Sequence, residues 1–144
     1  MKLLFSTLAL CCITTSFAQP HNIQEVVQFI QKKVACCSVP FAASSGKKVA
    51  SITIDANGNT ELFYSDKSPN NNFNLFQLYK EEQSKTGIDT ILKGRVIQFS
   101  VTEQRVRLIK FATAADAKEV YTAFLHLLSN NKMNSVTIGE PNFD

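Results

Sequence analysis

Apolar residues recur at helical spacing near both ends of this chain and with a period of two between them. Few folds accommodate that order. Ile23, Val26, Val27, Ile30 and Val34 form one stripe, and Ala117, Val120, Tyr121, Phe124, Leu127 and Leu128 form a wider one. Each stripe must bury itself against another element. Between them, Ile97, Phe99 and Val101 alternate with Gln98 and Ser100, the pattern of a strand with one buried face. Two helices flanking a strand-rich centre predict helices packed on an antiparallel sheet, an α+β layout. At 144 residues the chain suits one such domain and leaves no room for two. With 44% hydrophobic residues, 5 Gly and 4 Pro, it is neither collagen-like nor broadly disordered. No apolar run reaches the ~18 residues that a bilayer span needs.

The first residues read as an address. Met1-Lys2 gives a positive start, Leu3 to Ile13 is largely apolar, and Ser16-Phe17-Ala18 places small residues where a signal peptidase cuts. Residues 1–18 are expected to be a secretory signal peptide, leaving residues 19–144 as a single exported domain, periplasmic or extracellular. The run is too short and too rich in hydroxyl groups for a membrane anchor. A lipoprotein signal would want a small residue before Cys11, where Leu10 stands. Cleavage removes Lys2 and so lowers the formal charge of +3 by one, which points to no nucleic-acid partner. Cleavage also removes Cys11 and Cys12, leaving the adjacent pair Cys36-Cys37. Those two are read as half-buried thiols at a helix end, as a vicinal disulfide, or as an intermolecular or metal-binding pair. No His or Cys lies near enough in sequence to complete a zinc site.

Local signals set the element order. A helix over residues 22–37 starts at Asn22 with Glu25 three residues on, ends with Lys32-Lys33 in its last turns, and cannot pass Pro40. Val49 to Asp55 and Thr60 to Ser65 form a hairpin across Ala56-Asn57-Gly58. A three-residue loop with Gly58 left-handed pairs Ile54 with Thr60, Ile52 with Leu62 and Ala50 with Tyr64; a two-residue Asn57-Gly58 loop would break that apolar face. Residues 66–72 form a loop by composition, and residues 73–83 read as a strand entering a short helix near 75–83. Ile88 to Leu92 is a short strand. Val96 to Thr102 and Arg105 to Phe111 pair across Glu103-Gln104. In the second of these, Val106 and Leu108 share one face while Ile109 and Phe111 share the other, so either both faces are covered near residue 109 or a bulge shifts the phase. A C-terminal helix over 113–129 is capped by Thr113 and Asp116 and stopped by Asn130-Asn131. Val136 to Ile138 is expected to add an edge strand before a loose tail. The total is five to six strands in an antiparallel sheet or partly open β-roll.

Ile109-Lys110-Phe111 leading into Thr113-Ala114-Ala115-Asp116-Ala117, then Tyr121 and Phe124, resembles the end of a pleckstrin-homology-like domain, and the likeness covers about residues 49–129. Position 121 is tyrosine where that family's helix carries tryptophan. The resemblance implies a β-roll closed by a helix, in a family whose members bind lipids, peptides or proteins; fold alone does not choose among these.

Reactive groups are scarce. His21 lies by the expected new N-terminus and His126 on the polar side of the last helix. Glu81-Glu82 diverge on any helix, and Ser45-Gly46-Lys47-Lys48 lacks the preceding glycine and strand of a phosphate loop. No catalytic residue, metal site or cofactor is assigned. Phe63, Tyr64, Phe73, Phe76, Tyr79, Phe99 and Phe111 read as core. One basic face stands out, Arg95, Arg105, Arg107 and Lys110, as a contact for an acidic partner or an anionic surface. The expected function is that of an exported, non-catalytic binding or interaction domain for a protein, peptide or small apolar ligand. Two alternatives stand beside it: a structural protein assembling through an exposed strand edge, and a cysteine-dependent enzyme in which Cys36 or Cys37 meets His126.

Overall fold

A computed structural model describes residues 22–42, 46–82 and 84–139, with the backbone alone for 131–139. The expected signal segment 1–18, His21 and the tail 140–144 lie outside the described residues. Helix α1 (Ile23–Cys37) leads into strands β1 (Ser38–Val39), β2 (Val49–Ile54), β3 (Asn59–Tyr64), β4 (Asn71–Asn74), β5 (Ile88–Ile91), β6 (Val96–Thr102) and β7 (Arg105–Phe111), and helix α2 (Ala114–Gly139) follows. The strands form two antiparallel sheets, a four-stranded one in the order β1-β7-β6-β5 and a three-stranded one in the order β2-β3-β4, and these do not close into a barrel. The chain is α+β, as its periodicities predict. Seven strands stand where five or six were expected, because two-residue β1 is too short to show a period.

The hairpin follows the three-residue reading over most of its length. Gly58 sits at φ +87°, its N–H donates to the Asp55 carbonyl at 3.0 Å, and Ile54 pairs with Thr60 and Ile52 with Leu62. Only glycine takes that conformation without penalty. At the far end a bulge between Val49 and Ser51 brings Val49, not Ala50, opposite Tyr64 and turns Val49 into the core.

Two expectations give way. The helix foreseen near 75–83 is a single 3₁₀ turn, Leu75–Gln77, capped by the Asn74 side chain accepting from the Phe76 N–H at 2.8 Å. That one turn buries Leu75, and Leu78 after it. The chain then extends, and the Tyr79 N–H donates to the Ser100 carbonyl of β6 at 2.8 Å, a bond that a continuing helix would forbid. The edge strand foreseen at 136–138 is instead helix, since α2 runs to Gly139. Asn130 does not stop it, because its side-chain amide donates to the His126 carbonyl one turn back, at 3.1 Å.

The core lies between the inner faces of the sheets and the two helices. Val26, Ile30 and Val34 of α1, Ile52 and Leu62 of the hairpin, Ile97, Phe99, Ile109 and Phe111 of the larger sheet, and Val120, Phe124 and Leu127 of α2 are buried in one cluster. Phe99 stands at its centre, with ring centroids 5.1 Å from Phe73 and 5.0 Å from Phe124.

A charged clamp ties the helices together. Lys33 Nζ of α1 lies 2.9 Å from Asp116 Oδ1 and 2.6 Å from Glu119 Oε1 of α2. Hydrogen bonds to Glu119 and then Asp116 raise the Lys33 pKa, and the Lys33 bond is the main cause of a lowered Asp116 pKa. The lowered carboxyl contributes stability that is present above its unfolded pKa and lost as pH falls through the folded one. The raised ammonium contributes stability that is present below its unfolded pKa and lost as pH rises through the folded one. The clamp is therefore fully in force between about pH 5 and pH 9. Asp116→Asn is expected to cost about 0.5–1 kcal/mol at neutral pH. Urea unfolding of both proteins across the acid range should show that difference shrinking as Asp116 becomes protonated.

Candidate functional site

The phase change in β7 has a simple resolution. Its register against β6 runs without a shift from Lys110↔Val96 to Val106↔Ser100, and the irregularity lies in β6, between Ser100 and Thr102. There is no bulge near Ile109, and the two faces of β7 serve different purposes. Ile109 and Phe111 enter the core, whereas Val106 and Leu108 point to the opposite face of the sheet. The cross-strand register places Val39, Lys110, Val96 and Ile91 in one row on that outer face, with Leu108, Gln98 and Asp89 in the next. Val106 is 40% exposed. On this outer face Val106 is exposed, Val39, Leu108 and Ile91 are half-buried and Val96 is fully buried, while both helices contribute their apolar stripes to the core cluster on the other side.

One edge of this sheet is also half open. The Phe111 N–H donates to Arg95 of the β6 side at 2.9 Å, and the Ala112 N–H donates to Cys37 of the β1 side at 3.1 Å. Alternation along the strand then directs the main-chain groups of Lys110, Leu108 and Val106 away from β6. β1 covers only Lys110 and Phe111. Beyond Val39, Pro40 turns the chain, and Phe41 bonds to Lys47 and Gly46 instead of continuing along β7. Among the described residues, no strand pairs with Val106 or Leu108 on that side.

The four expected basic residues do not share a face. Arg105 and Arg107 belong to the core-side set of β7, at its open edge, whereas Lys110 lies on the outer face with its Nζ 5.4 Å from the centroid of the Phe41 ring. Arg95 sits at the other end of the strand, where its Nη2 donates to the Ala112 carbonyl at 3.2 Å and so closes the β7–α2 junction. Arg107 folds back over the edge. Its Nη1 donates to the Val106 carbonyl at 3.2 Å, and its buried Nε has no hydrogen-bond partner among the described residues. Arg105, Arg107 and Lys110 form no ion pair among the described residues. Charge alternation singled out β7, but not its half-open edge beside Val106 and Leu108. The phase break at Ile109 and the position of Pro40 were the signals for it.

Other candidates are spoken for. Cys36 and Cys37 are joined to each other as a disulfide, the vicinal member of the three readings. His126 lies two helical turns beyond Glu119, roughly 10 Å along α2, while Lys33, near the cysteines, sits at Asp116 and Glu119. The structure does not bring a thiol and an imidazole together. Among the described residues no three His, Cys, Asp or Glu side chains converge as metal ligands. A cleft of about 500 Å³ runs along the hairpin past Thr53, Asp55, Asn59 and Glu61. Its acidic groups serve local structure. Asp55 closes the turn by accepting from Asn57 and Asn59, which is why its pKa is lowered, first by the Asn59 side chain, and Glu61 accepts from Asn70 at 2.7 Å. No described helix is long and apolar enough to cross a membrane. No protein-family model, curated protein or solved structure matches this chain.

Proposed function

We propose that this chain is an exported, non-catalytic interaction module whose contact surface is the outer face and half-open edge of the four-stranded sheet. The observation that carries the reading is Val106, 40% exposed on the face of β7 opposite the one that sends Ile109 and Phe111 into the core. The exposed Val106 side chain beside outward-facing main-chain groups suits a protein or peptide partner, because it offers both desolvation and ladder bonds. The pairing of Cys36 with Cys37 leaves neither as a thiolate nucleophile, which weighs against the cysteine-dependent alternative. The same open edge favours a second reading, assembly of the chain with itself.

Val106→Lys separates the surface from the fold. Because Val106 does not belong to the core, its replacement is expected to change stability by no more than about 0.5 kcal/mol. Peptides selected against the parent protein from a random display library are expected to bind this variant at least tenfold more weakly, a loss of ~1.4 kcal/mol. Selected peptides that bind both proteins equally would overturn the surface assignment. Self-assembly instead predicts parent sedimentation that rises with concentration and a variant that stays monomeric.

A further inference from the structure

We infer that the open edge of β7 accepts an extended segment of another protein in which carboxylates alternate with apolar residues. This inference rests on the reading of the four-stranded sheet as the contact surface. Three observations define the occupant. First, the outward main-chain groups of Val106 and Leu108 lie two residues apart, the repeat at which a neighbouring strand offers its own donors and acceptors. Second, a residue that pairs opposite Leu108 or Val106 shares the outer face with them and is best apolar, whereas a residue opposite Arg107 shares the face with both arginines and is best acidic. Third, Arg107 is already short of a partner, with a buried Nε that makes no hydrogen bond among the described residues. On docking, the incoming main-chain N–H replaces Arg107 Nη1 at the Val106 carbonyl, and the freed guanidinium takes the incoming carboxylate in a charge-assisted pair. β7 itself carries no acidic residue to compete. Lys110, on the opposite face, keeps the cations from converging on a single phosphate, so an added strand suits the edge better than an anionic headgroup does. A second copy of the chain is a poorer occupant, since β5 at the other side of this sheet offers only one carboxylate, Asp89.

The test uses fluorescent synthetic peptides and anisotropy. A Val-Glu-Val-Glu-Val core with polar flanks is compared with its Val-Lys-Val-Lys-Val counterpart and with a form N-methylated at every second amide. The Val/Glu peptide is expected to bind, the Lys form at least tenfold more weakly, and the N-methylated form not at all when methylation falls on the edge-facing amides. Arg107→Gln should lose at least tenfold in affinity. Arg105→Gln, an exposed change outside the core, should lose less and keeps the test valid if Arg107→Gln unfolds. Equal binding of the Glu and Lys peptides, with sensitivity to N-methylation intact, sinks the acidic preference and leaves the edge reading standing. Binding indifferent to N-methylation, or no binding of the Val/Glu peptide, sinks the edge as a site for such a segment.

Discussion

Phe99→Ala is expected to cost about 3–5 kcal/mol, a large part of the ~5–15 kcal/mol that holds a domain of this kind together. Phe99 is fully buried and is where three layers meet, touching Phe73 of the smaller sheet at 5.1 Å and Phe124 of α2 at 5.0 Å. Those two rings are carried by different elements, so neither can move into the vacated space without dragging a strand or a helix with it. The cavity therefore stays largely open, which puts the substitution at the costly end of its class. The edge-on contact with Phe124, with ring planes at 79°, adds attraction beyond simple burial. Phe99→Leu keeps most of the volume and should cost less than half as much. Urea unfolding should show a lower midpoint with an unchanged slope. A loss below about 1.5 kcal/mol would mean that the site collapses easily and that the layers are not joined through this ring.

Much of this arrangement is legible in the sequence, wherever a period of two or 3.6 runs uninterrupted. Phe99 alternates with Gln98 and Ser100, Phe124 sits in the α2 stripe, and the register of Ile52 and Ile54 follows from the three-residue Ala56-Asn57-Gly58 loop. Failures cluster where a distant partner decides a local conformation. Phe73 to Tyr79 carries enough apolar residues for a helical turn, yet Ser100, far along the chain, claims the Tyr79 N–H and pulls the backbone straight. Asn130-Asn131 looks like a stop, and Asn130 instead satisfies a carbonyl of its own helix. The candidate site was half visible. Arg105, Arg107 and Lys110 mark β7 by charge, and unbroken alternation sets Lys110 on the face opposite both arginines, but the sequence leaves open a bulge near residue 109 that would undo this. Nor can it say that Pro40 leaves Leu108 and Val106 without a strand neighbour; that depends on the β1–β7 pairing, for which two residues of sequence give no signal.

Gly87 is the other position where a single methyl group should matter greatly. It sits at φ +79°, and a Cβ built there would lie 2.6 Å from Leu78 Cβ and 2.9 Å from the Tyr79 carbonyl oxygen. One of these atoms is main chain and the other is fixed to it, so no side-chain rotation relieves the overlap. The Leu78–Tyr79 segment cannot retreat cheaply either. Its Tyr79 N–H is bonded to the Ser100 carbonyl at 2.8 Å, while the Ser100 N–H is bonded to the Gly87 carbonyl at 2.9 Å. Gly87 and Tyr79 thus hold the two main-chain groups of one β6 residue, and pushing them apart strains both bonds. Left-handed backbone costs alanine about 1 kcal/mol, and the overlap adds roughly 1–3 kcal/mol. Gly94 shares the same φ of +79°, but its added Cβ would meet only Ala114 Cβ, at 3.8 Å. Gly94→Ala should therefore show the backbone cost alone, and its difference from Gly87→Ala measures the overlap. If the two variants unfold at the same urea concentration, the close approach at Leu78 is not rigid. Ser100 pairs with Val106 across the sheet, so the strain reaches the candidate contact strand. Amide exchange at Ser100 is expected to speed up in Gly87→Ala and to stay unchanged in Gly94→Ala, which would place the support of the Val106 rung in the loop that Gly87 closes.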